Sequence, residues 1–149
     1  MELFCFARLR EDIHLNTIRK ISGLNINKFE LSRIRRLSDK QIINNFYERR
    51  SGASTFALIS AIDICLNKPK SVVAICGCGS LVIADQIRKA NSDIVSVDRE
   101  SIKFYNGSVI KLSKTFNNSV RGIGKVFIDG PMDIGRQLSN YMTLINHEC

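Results

Sequence analysis

No apolar run in the 149 residues approaches the roughly 20 needed to cross a bilayer, and no membrane span is expected. No charged and then apolar leader opens the chain, so the expectation is a cytoplasmic protein. Histidine is scarce. His14 and His147 stand far apart and neither has a partner at ligand spacing, which argues against a metal centre. The five cysteines, Cys5, Cys65, Cys76, Cys78 and Cys149, are odd in number, and most sit in apolar runs. Buried, reduced thiols explain that pattern better than a disulfide framework. Cys76 and Cys78, one residue apart, make half a zinc site at best. Internal repeats, low-complexity tracts and interdomain linkers are absent. The length suits one domain that buries a core without staples.

Acid is the other shortage. Asp and Glu number 14 against 22 Lys and Arg, a net charge of +8. Such an excess points to a polyanionic partner, most often nucleic acid held by its phosphate backbone. Arg33, Arg35 and Arg36 are the candidate contacts, although a solvated helix face accounts for them as well. A protein partner or a homo-oligomer stays open.

Residues 1–48 form a helical, basic preface. Gly23-Leu24-Asn25 breaks it, and Phe29, Leu31, Ile34 and Leu37 recur at helical spacing. Ser38-Asp39-Lys40-Gln41 has the form of a capping box and predicts a helix carrying Ile42, Ile43, Phe46 and Tyr47. Residues 49–149 then read as an α/β core. Arg49-Arg50-Ser51-Gly52-Ala53-Ser54-Thr55 precedes Phe56–Leu66, a run apolar almost all round and so a buried helix. Ser54 or Thr55 caps it, and Pro69 cannot continue it. Ser71–Cys76 is a β-branched run of the kind found in buried parallel strands. A glycine loop, a buried helix and a buried strand in that order describe a phosphate site, because a helix N-terminus offers free amides and partial positive charge.

Beyond it, Ser80 caps a second helix through Ala90, Asp93–Val97 is a strand ending at Asp98, and Asn106-Gly107 joins two apolar runs as a hairpin. Lys125–Asp129 is a further strand, and Ile134–Ile145 has a helical pattern. The predicted architecture is a mostly parallel sheet of 71–76, 93–97 and 125–129, with helices 55–66 and 80–90 packed on it and the hairpin added.

From Arg49 to Asp129 the chain resembles the nucleotide-binding core of P-loop motor ATPases, especially viral terminase large subunits and their helicase relatives. Arg50-Ser51-Gly52-Ala53-Ser54-Thr55 resembles their Arg-x-Gly-Lys-Ser/Thr-Thr loop. Val72–Ala84 resembles the strand and helix that follow it, and Ile102–Ile110 resembles a hairpin written around Asn-Gly-Ser. Val120-Arg121-Gly122 resembles the Arg-Gly before the acidic strand, and Val126-Phe127-Ile128-Asp129 resembles the Walker B strand. The resemblance implies a three-layer P-loop fold and a site for ATP with Mg²⁺ formed by Arg49, Arg50, Ser51, Gly52, Ala53, Ser54, Thr55 and Asp129. Ser54 and Asp129 would serve the metal. A viral or mobile-element setting, in a host cytoplasm, is implied too.

Two departures are decisive for activity. Ala53 stands where the phosphate-binding lysine belongs, and Gly130 stands where the catalytic glutamate follows the Walker B aspartate. Arg49 or Arg50 is the candidate replacement cation. Loss of the group that orients water costs orders of magnitude in rate, so the expectation is nucleotide binding with little or no hydrolysis. Two rivals stand beside it. One is a class I methyltransferase, with Gly77-Cys78-Gly79 as its glycine loop and Asp98 on the ribose of S-adenosylmethionine. The other is a non-enzymatic accessory protein that keeps the fold.

Overall fold

The structure, a computed structural model, describes residues 2–40, 42–43, 53–77, 80–114, 123–129 and 141–145. The chain opens with two helices. α1 (Glu2–Ser22) ends at Gly23, whose φ of 71° sends its amide back to the Arg19 carbonyl at 2.8 Å. A side chain at Gly23 would press on the Ala90 Cβ at 3.3 Å. α2 (Lys28–Ser38) is capped by Asn27, whose side chain accepts the Glu30 amide.

The helix expected to open at Ser38 and carry Ile42 and Ile43 is not formed by those described residues. Ser38 is the last residue of α2, its hydroxyl donating to the Arg35 carbonyl, and Asp39 is the C-cap. Ile42 and Ile43 instead form a short strand, β1 (Ile42–Ile43), exposed and buried in alternation. A β-branched pair directly after a stopped helix suits an extended backbone better than a new helical turn. Phe46 and Tyr47 lie outside the described residues.

The core follows in the anticipated order. α3 (Ala53–Asn67), β2 (Val72–Gly77), α4 (Ser80–Ala90) and β3 (Val95–Val97) lead to the hairpin strands β4 (Ser101–Phe104) and β5 (Val109–Ser113), then β6 (Lys125–Asp129) and β7 (Met142–Ile145). Residues 142–145 are therefore strand, correcting the helical pattern read over 134–145; residues 134–140 lie outside the described set. Met142, Thr143 and Ile145 are buried, and a run buried on both faces carries no period that separates strand from helix.

The seven strands make one mixed sheet in the order β1-β7-β6-β2-β5-β4-β3. β1, β7, β6, β2 and β5 are parallel, and β4 runs against β5 and β3. Residues 93–97 contribute only an edge strand, separated from the parallel core by the hairpin. Alternation along each strand divides the core. Val73, Ile75, Phe127 and Ile145 face α3 and α4, with Ile18 and Ile21 of α1 in the same cluster. Ala74, Cys76, Val126, Ile128 and Met142 form a second cluster on the opposite face.

The Asn-Gly-Ser turn has a structural use. Asn106 Nδ2 donates to the Cys65 carbonyl at 2.7 Å, and the Ser108 hydroxyl reaches the Cys65 and Lys68 carbonyls at 3.0 and 3.1 Å. The last carbonyls of α3, orphaned by the end of the helix, are thus capped from the hairpin.

Candidate functional site at the carboxyl edge of the sheet

Four adjacent parallel strands finish level with one another. Ile43 pairs with Ile145, Ile145 with Asp129, and Asp129 with Gly77. At about 4.8 Å between strands this row spans roughly 14 Å. The connection leaving β2 runs through α4 to β3 at one edge of the sheet, while the connection leaving β6 runs to β7, toward the other. Strand order therefore reverses between β2 and β6. In open α/β sheets the crevice outside such a switch point is where ligands bind. Gly77 and Asp129 are the terminal residues of those two strands.

α3 begins at the same edge. Its first turn is fixed over β6 by Phe56, whose ring meets Phe127 edge-on at 6.2 Å between centroids. Phe127 lies two residues before Asp129, and Phe56 directly follows Thr55. Ala53 is the first residue of α3, so Ser54 and Thr55 are half-buried members of its first turn and not its cap. Ser80 likewise opens α4 from within, its hydroxyl donating to the Gly77 carbonyl at 3.1 Å. Arg49, Arg50, Ser51, Gly52 and Gly130 lie outside the described residues, as do Val120, Arg121 and Gly122.

Of the residues read as a methyltransferase site, Gly77 and Asp98 are described, and they stand apart in the sheet. Gly77 ends β2 with a φ of 124°, but Asp98 follows β3, three strands away and so roughly 14 Å across the sheet. Asp98 is engaged with Ser101 at 3.4 Å and Lys103 at 3.7 Å. Cys78 and Gly79 lie outside the described residues. Burial pushes the Cys76 thiol up to about 11 and the Cys65 thiol up to about 12, which leaves both protonated. Among the described residues no group of three His, Cys, Asp or Glu side chains has the placement to hold a metal ion.

A buried charge cluster lies on the far side of α3. Asp63, 6 % exposed, accepts Arg35 through Nε at 3.0 Å and Nη2 at 2.9 Å, His14 Nε2 at 2.6 Å and Asn67 Nδ2 at 3.2 Å. Burial by itself would raise the Asp63 carboxyl. The hydrogen bonds from His14 and Arg35, with their charges, outweigh it and hold the group below its usual range. The same hydrogen bond raises Arg35. A carboxylate that only accepts fixes the His14 proton on Nε2. The cluster bolts α1 and α2 to α3, and a cavity of about 520 Å³ opens beside it between the three helices, reaching Arg10, Ile13, Lys28 and Ser32.

The three arginines grouped in the sequence are separated by this cluster. Arg33 and Arg36 are exposed, whereas Arg35 is turned inward onto Asp63. The sequence carried a signal for the cluster that goes unused in a reading by motif: Asp63 is the one charged residue in a largely apolar helix, and a charge so placed requires a partner. No family model matches the chain, and none of the curated proteins matches it.

Proposed function

We propose that the chain is a nucleotide-binding α/β domain of P-loop ancestry that binds ATP with Mg²⁺ at the carboxyl edge and hydrolyses it slowly or not at all. The observation that carries the reading is the register of Asp129 beside Gly77 at the strand-order reversal, at the edge from which α3 begins. The residues there fit the ligand in kind. The first turn of α3 supplies amides and the Ser54 and Thr55 hydroxyls for phosphate oxygens, and Ser54 with Asp129 are the residues for Mg²⁺. Bound Mg²⁺ would neutralise phosphate charge. Gly52 allows the backbone to close around a phosphate, and Arg49 or Arg50 is the cation in place of the lysine absent at Ala53.

Gly130 supplies nothing to orient a water, so the reading is a binding domain. The wide separation of Asp98 from Gly77 favours this over S-adenosylmethionine. The test is Ala53→Lys, Gly130→Glu and the pair together, assayed for ATP binding and turnover. Tighter binding with the first change and turnover only with both are expected. Indifference to all three would sink the nucleotide reading, and a wild-type rate of about 1 s⁻¹ or more would sink the claim of slow hydrolysis.

A further inference from the structure

The outward face of α2 carries Phe29, Arg33 and Arg36 in one line. At 3.6 residues per turn these positions fall within roughly 40° on either side of a common axis, away from the buried Leu31, while the buried Leu37 borders the line on the Arg33 side. Phe29 is 75 % exposed. A ring left in water on the first turn of a well-capped helix adds nothing to the core. Arg33 and Arg36 are exposed and enter no ion pair among the described residues, although Arg35 between them enters two. Lys40, also exposed and without an ion pair among the described residues, continues the positive charge past the helix end. Of the nearby acids, Asp12 holds Lys28 at 2.7 Å, whereas Glu30 stands three residues before Arg33 and Asp39 three after Arg36.

We propose that this face of α2 binds single-stranded nucleic acid, with Phe29 as the platform for one base and Arg33 and Arg36 on neighbouring phosphates. An aromatic platform beside free guanidinium groups is what a stretched strand needs, since every base has a π-face and every linkage a charge. Arg33 and Arg36 are one turn apart, about 5–6 Å between their Cβ atoms, which lets both reach one short backbone segment. A duplex keeps its base faces inside the stack and cannot use Phe29. The proposal concerns a different surface from the carboxyl edge and stands without nucleotide binding there.

The probe is a fluorescein-labelled oligothymidylate of about 12 nucleotides, within the 4–16 typical of such sites, followed by anisotropy from about 50 to 200 mM salt. Phe29→Ala is expected to weaken binding fivefold to a hundredfold, roughly the worth of one stacked base, with the salt dependence unchanged and Phe29→Trp restoring it. Arg33→Ala with Arg36→Ala is expected to lower the slope of log K against log salt by about 1.4, some 0.7 for each phosphate. All three side chains are exposed, so thermal midpoints should match the wild type and folding does not confuse the result. Wild-type affinity in these variants would overturn the proposal. So would equal loss for a duplex of the same length in Phe29→Ala, or polyglutamate displacing the oligonucleotide as well as unlabelled strand of equal charge, which would mark a surface for an acidic protein.

Discussion

Asp63 is the residue on which most of the charge economy inside this molecule turns. Arg35, His14 and Asn67 all converge on it from three elements. Removing one partner from such a pair strands the other, so Asp63→Ala should cost about 3–5 kcal/mol, read as a lower urea midpoint at pH 7. Its pH dependence has a definite sign. The folded-state pKa lies below the unfolded value of about 3.9, so the stabilisation is complete above that value and is lost as pH falls below it, through the folded pKa. Urea midpoints for the wild type should therefore drop on going below about pH 4, and Asp63→Asn should flatten that limb while starting from a lower midpoint at neutral pH. An equal acid limb in both proteins would assign it to other carboxylates. The cysteines give a second check at this scale. With thiols pushed up to about 12 and about 11, Cys65 and Cys76 should resist alkylation at pH 8 until the protein unfolds, as mapped by mass spectrometry. Modification of either in the native state would contradict their burial.

Among the elements, the hairpin and α3 stabilise one another through the hairpin turn. Asn106 and Ser108 both donate to the Cys65 carbonyl, so either alanine change alone should cost about 0.5–1.5 kcal/mol, and the two together, which take both turn donors from that carbonyl, about 1–3 kcal/mol in unfolding free energy. Gly107→Ala should cost about 1–2 kcal/mol, because φ is 85° there and the new Cβ would also meet Lys70 at 3.3 Å. Losses below about 0.5 kcal/mol, the ordinary range for surface changes, would mean the turn caps nothing. This contact also shows how the sequence was legible. Asn106-Gly107 announces a hairpin by its turn chemistry alone, and α3, β2, α4 and β6 announce themselves by composition and by Pro69. Ile42–Ile43 and Met142–Ile145 do not, since two or four apolar residues have no measurable period. Their strand character comes from each other, as parallel partners a hundred residues apart. Asp63 was visible as a charge out of place, but His14 and Arg35 as its partners required the packing of three helices.

Over the whole molecule, strand order is what brings the residues of the candidate site together from separate segments, and strand order is not written locally. Asp129 and Gly77 each stand out in the sequence as strand ends beside glycine. That they are neighbours, and that Asp98 is three strands away from Gly77, follows only from β6 pairing with β2 while the hairpin intervenes before β3. The same arrangement is the ground for proposing ATP over S-adenosylmethionine as the ligand. The most direct measurement is thermal unfolding of the wild-type chain with ATP plus Mg²⁺, with ADP, and with S-adenosylmethionine, each in excess. A ligand at 100 times its Kd adds about 2.7 kcal/mol, which for a chain of this size raises the midpoint by roughly 5–10 °C. The account predicts such a rise with ATP plus Mg²⁺ and none with S-adenosylmethionine; a rise with S-adenosylmethionine alone, or with neither even after Ala53→Lys, would contradict it.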